Sequence, residues 1–311
     1  MAYRTRTSGR PGPAAGEPVS EQRQDRPDTA ANLGVGKTAT KIDFAGKVAV
    51  VTGGAMGIGA ATAELLCELG ARVAILDRDA EHGRGLAGRL GACGYAASFH
   101  SCDVGDPVST REAFEAAAQQ HGAMQVLVHS AGIQRYGDVL STSDEVWHET
   151  LRVHVDGCFH AVRCAIPHLI AAGGGSIVIV GSVQTVAALA GSAAYVTAKH
   201  ALLGLTRSIA LDFASRHVRA NCVMPGAVDT PMLRASLELA PDPEAVLEGC
   251  RRAHPVGRIG LPEEVARAIA FLASDWASFI TGAALAVDGG MLVPVGGMGF
   301  QEGGMGSIAK R

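Results

Sequence analysis

The feature that most constrains the fold is a sevenfold alternation of short apolar runs with longer helix-like segments. The runs are rich in Val, Ile and Ala, as expected for strands that are covered on both faces. They are Lys47–Val51, Arg72–Asp77, Tyr95–His100, Gln125–His129, Ser176–Val180, Val218–Val223 and Ala283–Val287. Strands of this kind, separated by helices, predict a single α/β domain in which helices cover both faces of a doubly wound parallel sheet of about seven strands.

The two ends of the chain lack this alternation. Residues 1–42 contain four prolines and no apolar periodicity, so we expect a flexible N-terminal arm whose removal leaves the fold intact. Residues 293–311 are rich in Gly and Met and are expected to form a C-terminal tail. The predicted catalytic domain therefore spans residues 43–292.

Composition excludes several classes of protein. Hydrophobic residues make up 48% of the chain, the net charge is -3, and the basic residues do not cluster, so we expect no nucleic-acid partner. No apolar run is long enough for a membrane span, so we expect no membrane association. The eleven histidines form no H-E-x-x-H pattern, which argues against a metal-dependent hydrolase and predicts no metal site.

The seven cysteines favour a reducing compartment. No two of them form a C-x-x-C pair, and most lie in apolar stretches, so we expect buried free thiols. Their odd number, together with the missing apolar segment after Arg4 and Arg6, predicts a cytoplasmic protein without a secretory signal.

A glycine-rich segment, Thr52–Gly59, joins the first predicted strand to the first helix. Glycines at such a junction let backbone N–H groups approach a pyrophosphate at the positive end of the helix. This context predicts a Rossmann-type dinucleotide site. A second glycine cluster, Gly34–Thr38, lacks both a preceding strand and the first glycine of a phosphate-binding P-loop, where Ala31 stands, so we reject that interpretation.

Asp77, at the end of the second strand, indicates the type of dinucleotide. A carboxylate there accepts hydrogen bonds from ribose hydroxyls and repels a 2′-phosphate, which favours NAD over NADP. The neighbouring Arg78 keeps NADP open as a minor alternative. Asp103, which follows the third strand, is a candidate partner of the adenine amino group.

Tyr195 and Lys199 are four residues apart, on one face of a predicted helix. Lys199 is the only lysine between Lys47 and Lys310, in a chain that otherwise uses Arg there. A nearby ammonium and the charge of an oxidised nicotinamide favour a phenolate, so Tyr195 can exchange a proton with an alcohol or a ketone. Ser182, at the end of the fifth strand, can orient the substrate oxygen.

Together these motifs resemble the short-chain dehydrogenase/reductase family, in its 3-oxoacyl-reductase-like and glucose-dehydrogenase-like branch, over residues 44 to about 292. Besides the glycine motif and the Ser–Tyr–Lys set, Pro225-Gly226 with Thr230 matches the segment that holds the nicotinamide carboxamide, and Met56 replaces the basic residue typical of NADP users. The resemblance implies a homotetramer. The residues that we expect to bind NAD are Gly53, Met56, Gly57, Ile58, Gly59, Asp77, Arg78, Asp103, Val104, Ser130, Ala131, Gly132, Tyr195, Lys199, Pro225, Gly226, Val228 and Thr230.

Two positions depart from the family pattern. The usual N-N-A-G is His129-Ser130-Ala131-Gly132, so the strand-to-strand bonding of the asparagine is replaced. The usual catalytic Asn, which holds a water linking the lysine to solvent, is His154. Because imidazole titrates near neutrality, His154 either relays protons itself or blocks the water and weakens catalysis.

The sequence predicts the class of reaction more clearly than the identity of the substrate. Gln134, Gln184 and Met232 are candidate contacts, and residues 232–254 are long enough to form a lid. The side-chain amides of Gln134 and Gln184 can bond several hydroxyl groups. They favour a polyol, a sugar or a cyclic alcohol as the substrate, which the enzyme would interconvert with the corresponding ketone. The alternatives are a 3-oxoacyl thioester reductase and an NAD-binding protein with weak turnover.

Overall fold

The computed structural model describes residues 41–293, and within this range the predicted α/β architecture is confirmed. The strands end within two residues of the predicted limits. They are β1 (Val48–Thr52), β2 (Arg72–Asp77), β3 (Ala97–Ser101), β4 (Val126–His129), β5 (Gly175–Val180), β6 (Val218–Pro225) and β7 (Ala284–Val287).

The seven strands form one parallel sheet in the order β3-β2-β1-β4-β5-β6-β7. The chain winds outward from β1 on one side and from β4 on the other, so neighbouring connections diverge between these two strands. Thr52 and His129, the last residues of β1 and β4, lie side by side in the register. This point of divergence is where open parallel sheets bind ligands.

Helices cover both faces of the sheet. Within residues 41–293 they are α1 (Gly57–Glu68), α2 (Ala80–Ala92), α3 (Pro107–His121), α4 (Asp144–Leu151), α5 (Gly157–Ala171), α6 (Ala193–Phe213), α7 (Pro231–Glu238), α8 (Pro243–Ala253) and α9 (Pro262–Ala273). One core layer joins the sheet to α3, α5 and α6 and includes Phe114 and Leu202, whereas the other joins it to α1, α2 and α9 and includes Leu66 and Ile269. The core therefore lies on both sides of the sheet, with α7 and α8 outside it.

The expected arm (1–42) and tail (293–311) lie outside the described residues, apart from positions 41, 42 and 293. In the described part, none of the helices combines the length and the apolarity that a bilayer crossing needs. The cysteine prediction needs one correction. All seven thiols are free, but only four are buried, Cys93 is exposed at the end of α2, and Cys164 and Cys250 are half-buried.

Candidate active site

A cavity of about 1030 Å³ opens at the carboxyl edge of the sheet, beside the ends of β1 and β4. It runs from the turn after β1 to the helices α7 and α8. Every predicted site residue except Gly59 lines it. The sequence prediction thus placed 22 of its positions on one continuous surface, although they come from eight separate segments of the chain.

The turn between β1 and α1 depends on close backbone contact. Gly53 has φ +64°, and a Cβ atom there would lie 2.5 Å from the backbone of Ala131. Helix α1 begins after Met56 without a side-chain cap, so its first N–H groups remain available to an anion. Gly59 is the one predicted site residue outside the cavity lining, and its Cβ would lie 2.0 Å from the Gly53 carbonyl oxygen. It therefore allows α1 to pack on the turn and does not face the cavity.

Asp77 is held rigidly at the end of β2. Its Oδ2 accepts a hydrogen bond from the Ala55 N–H and its Oδ1 accepts one from the Asp79 N–H, both at 3.0 Å. These bonds aim a negative charge at the cavity next to the glycine turn. Arg78 is exposed on the same rim.

Asp103 lies farther along this half of the cavity. Its Oδ1 accepts a hydrogen bond from the Gly105 N–H, and its Oδ2 pairs with Arg152 Nη1 at 3.3 Å. Both carboxyl oxygens thus have protein partners, which orient the group but leave lone pairs for a ligand donor.

Ser182 begins a short 3₁₀ turn immediately after β5. Its Oγ accepts a hydrogen bond from the Gln184 N–H at 3.1 Å, and the Thr185 hydroxyl accepts one from the Ser182 N–H at 3.0 Å. This reciprocal capping fixes a side chain that would otherwise rotate freely. The Ser182 hydroxyl also acts on Tyr195, whose pKa it lowers.

Tyr195 and Lys199 lie one turn apart on α6, and both are buried. Burial raises the pKa of Tyr195 to about 12, which outweighs the opposing effect of Ser182. Lys199 Nζ is 5.4 Å from the centre of the phenol ring and donates a hydrogen bond to the Val180 carbonyl at 2.9 Å. Burial lowers the pKa of Lys199 to about 8. In the protein alone, therefore, Tyr195 is a neutral phenol.

His154 lies in a π-helical turn, Arg152–Asp156, that joins α4 to α5. Its Nε2 contacts both backbone groups of Ile133, with the carbonyl oxygen at 2.8 Å and the N–H at 3.2 Å. Its Nδ1 is buried and has no hydrogen-bond partner in the described part of the chain. The ring packs edge-on against Tyr195, with centroids 5.3 Å apart.

The buried environment of His154 argues against the proton relay that was expected from an imidazole with an ordinary pKa. Burial, with a smaller contribution from the Lys199 charge, holds the pKa of His154 well below its usual value. The expectation that this imidazole titrates near neutrality therefore does not apply. The ring is neutral and does not titrate near pH 7.

His129, the other departure from the family pattern, still forms a side-chain hydrogen bond between two strands. His129 Nδ1 lies 2.9 Å from Thr52 Oγ1, so a side-chain bond still joins β4 to β1. Burial lowers the pKa of His129 to about 3, and the Lys199 charge adds to the effect. Two neutral buried histidines thus lie close to Lys199.

The substrate end of the cavity is lined mainly by apolar side chains of α7, α8 and the loop before α6. Gln134, Gln184 and Met232 line it as predicted. The predicted lid segment, residues 232–254, lines this end, although of its individual contact residues only Met232 was predicted. The others include Leu233, Leu237, Leu239, Val246, Cys250 and Ala253, and Leu189 lines the cavity from the loop before α6.

The residues present fit a nicotinamide dinucleotide. The cavity offers a cradle that a Cβ at Gly53 would fill, an uncapped helix start for the pyrophosphate and a fixed carboxylate at Asp77. Beyond them, a serine, a buried tyrosine and a buried lysine surround the reacting end. Fold and site together define a nicotinamide-dependent oxidoreductase that acts on CH–OH groups.

The chain belongs to the short-chain dehydrogenase/reductase family. A family model described as enoyl-(acyl carrier protein) reductase matches residues 53–292. The chain is 37% identical to cyclohexanol dehydrogenase of Acinetobacter sp. (strain SE19), over 79% of this chain and 95% of that one. It is 43% identical to cis-4-hydroxycyclohexanecarboxylate dehydrogenase of Sinomonas cyclohexanicum, over 79% and 97%. The ligand-free structure of Thermoplasma acidophilum aldohexose dehydrogenase superposes with a TM-score of 0.74 at 39% identity, covering 82% and 97%.

Proposed function

We propose that this protein interconverts a secondary alcohol and its ketone with NAD, and that Tyr195 is the general acid and base. One observation carries the proposal. Ser182, Tyr195 and Lys199 line one end of the same cavity whose other end contains the glycine turn and Asp77. This arrangement supports proton exchange at one end and dinucleotide binding at the other.

In the oxidation direction, the Ser182 hydroxyl orients the substrate oxygen and Tyr195 Oη accepts the hydroxyl proton. When bound, NAD supplies the acceptor for the hydride that leaves the carbinol carbon. The phenol must ionise first, and burial alone opposes that. Two positive charges, the Lys199 ammonium and the oxidised nicotinamide, favour the phenolate of Tyr195 and so oppose the effect of burial on its pKa.

The nearby histidines support this role of Lys199 as a charge. His129 and His154 are neutral, so neither competes with Lys199 as the cation of the site. Lys199 holds its charge against burial through the carbonyl of Val180. In the reduction direction, Tyr195 returns its proton to the ketone oxygen.

We propose an alcohol on an alicyclic ring as the substrate. Met232, Leu237 and Val246 give the lid side of the cavity an apolar surface that suits a ring carbon skeleton. The amides of Gln134 and Gln184 provide uncharged hydrogen-bonding groups opposite. Two similar proteins carry names for cyclohexane-ring alcohols, which also supports this choice over an open-chain polyol.

A 3-oxoacyl thioester reductase is less well supported. The Asp77 carboxylate opposes the 2′-phosphate of NADPH, the usual reductant in such reactions. Next to Gln134 in the chain, Arg135 forms a two-pronged ion pair with Glu149, with N–O distances of 2.9 and 3.0 Å. It is therefore already engaged and does not offer its charge to a phosphate-bearing carrier.

The proposal is tested with purified protein by following NADH formation with cyclohexanol, cis- and trans-cyclohexanediols, threitol and glucose, and NADH or NADPH consumption with a 3-oxoacyl thioester. We expect the highest kcat/KM with a ring alcohol and NAD. Preferred turnover of threitol or glucose would overturn the substrate class, and preferred turnover of the thioester would overturn the reaction. NADH binding without turnover of any substrate would favour a binding protein.

We also propose that the protein works as a homotetramer, as its family resemblance implies. Within residues 41–293, β7 is an edge strand of the sheet, and Leu285 on it is exposed, as are Trp276 and Phe279, which precede it in the chain. Apolar side chains on an unpaired edge suit contact with a second copy. Light scattering during size-exclusion chromatography tests this, and a monomer at micromolar concentration would contradict it.

A further inference from the structure

His254 is a buried histidine that the proposed chemistry does not use. It directly follows α8, and only 3% of it is exposed. Nothing in the sequence distinguishes it from the other ten histidines. Its two ring nitrogens, however, contact two different parts of the active site.

The hydrogen bonds of His254 determine its protonation state. Nδ1 lies 2.6 Å from the Cys250 carbonyl oxygen, which can only accept, so Nδ1 carries a proton. Nε2 lies 3.1 Å from the Ala227 N–H, which can only donate, so Nε2 carries a lone pair. His254 is therefore a neutral imidazole in one defined tautomer, and it bridges these two backbone groups.

The two bridged groups belong to the two halves of the cavity. Ala227 lies in the segment Pro225–Thr230, which is expected to hold the nicotinamide carboxamide. Cys250 is in the last turn of α8 and lines the substrate end.

Gly226 permits this contact. A Cβ at Gly226 would lie 2.4 Å from His254 Nε2. Only glycine leaves space for the imidazole at this position. The hydrogen bonds of His254 therefore depend on glycine at position 226.

We propose that His254 is a positioning residue that couples the lid helix α8 to the nicotinamide-binding segment. The inference rests on the proposed function, because it requires a nicotinamide at Pro225–Thr230. If α8 closes over a substrate, the bridge holds Ala227 and its neighbours in place, and an ordered nicotinamide segment in turn holds α8. Such coupling is reciprocal by thermodynamic necessity.

The test separates nicotinamide recognition from the rest of dinucleotide binding. Dissociation constants of NADH and of ADP-ribose, which lacks the nicotinamide, are measured by calorimetry for the parent, His254→Phe and His254→Asn. Phe removes both hydrogen bonds, whereas Asn can still donate to Cys250 but is too short to reach Ala227. We expect both variants to bind NADH about tenfold more weakly, the effect of one lost hydrogen bond, and ADP-ribose within about twofold of the parent.

His148→Phe is the matched control. His148 makes the same type of bond, from Nδ1 to the Asp144 carbonyl four residues earlier at 2.6 Å, but it is exposed and does not line the cavity. It should leave both affinities unchanged. In the His254 variants, hydrogen exchange of the α8 amides should no longer slow when NADH binds, as it should in the parent.

Three results would overturn the coupling. Equal weakening of NADH and ADP-ribose would show a general structural role, unchanged affinities would show that the bridge is not used, and retained NADH protection of α8 would show another route. His254→Asn keeps a polar side chain and provides the measurement if His254→Phe does not fold. A parent that binds neither NADH nor NADPH would instead contradict the proposed function itself.

Discussion

Among single residues, Tyr195 shows how burial and nearby groups act on one proton. Burial outweighs the hydrogen bond of Ser182 and raises its pKa to about 12, so the phenol holds its proton until positive charge is brought close to it. Lys199 supplies part of that charge, and its own burial brings its pKa down to about 8. The lysine is therefore mostly charged at pH 7 and loses charge above pH 8.

Replacing Tyr195 by Phe should reduce kcat by two to four orders of magnitude, the usual contribution of an acid–base group. The ring and its contact with His154 remain, so NADH affinity should change little. Lys199→Arg should also be severe, since a planar guanidinium does not fit the site of a compact ammonium bonded to Val180. Steady-state kinetics with parallel NADH titrations measures both. Activity of Tyr195→Phe above a tenth of the parent would remove the tyrosine from the mechanism.

His154 is predicted to act as a neutral neighbour and not as a titrating relay. Because its pKa lies well below the usual value, the pH dependence of kcat between pH 6 and 9 should be the same in the parent and in His154→Asn. His154→Asn should raise kcat if the ring blocks a water path. His154→Ala should mainly lower stability, by about 2–3 kcal/mol, because it leaves a cavity against Tyr195. Turnover and urea unfolding of the three forms test this, and a pH profile that moves in His154→Asn would restore the relay.

On the scale of secondary-structure elements, the end of β2 carries the residue on which the proposed preference for NAD depends. Asp77 is anchored by the N–H groups of Ala55, in the turn before α1, and of Asp79, before α2. Three elements thus hold one carboxylate in place. A rigid negative charge cannot turn away from a 2′-phosphate, so its repulsion is not relieved by motion.

Asp77→Asn should narrow the preference for NADH over NADPH by at least about tenfold, or ~1.4 kcal/mol, because the charge is lost while the shape is kept. Asp106→Asn is the control, since Asp106 caps α3 and does not line the cavity. Titration of NADH and NADPH into all three proteins gives the ratios. A parent that binds NADPH as tightly as NADH would refute the prediction.

For the whole molecule, burial of several histidines links stability to pH. His100, His121, His129 and His154 all have lowered pKa values, with burial as the main cause. The unfolded chain, with ordinary pKa values near 6.5, then binds more protons than the folded protein below that pH. Stability therefore falls as the pH drops from about 6.5, and for His129 this continues to about pH 3.

Each such histidine should remove about 1.4 kcal/mol per pH unit inside its window. His129→Asn should therefore lower the slope of unfolding free energy against pH between pH 6 and 5, while the exposed His148→Gln should not. Urea unfolding at several pH values measures the slope. An unchanged slope in His129→Asn would mean that the buried imidazole is not the source of the acid sensitivity.

The sequence by itself determined the features that depend on local order. Strands covered on both faces, the glycine turn at the end of β1 and the one-turn spacing of Tyr195 and Lys199 each leave a pattern within a short window. Strand limits were thus predictable within two residues, and all but one of the predicted site residues line the cavity. Gly59 was the exception, because it packs closely on Gly53 and does not line the cavity.

Only the tertiary structure decided the electrostatic state of the site and which side chains of the lid segment line the cavity. Burial and hydrogen-bond partners come from segments distant in sequence, such as Ile133 for His154, Thr52 for His129 and Ala227 for His254. Desolvation is a property of the packed whole, so no local pattern could show that Tyr195 is neutral in the protein alone or that both histidines near Lys199 are neutral. The apolar lid surface was hidden for the same reason, since amphipathic helices show one apolar face whether that face covers a core or a substrate.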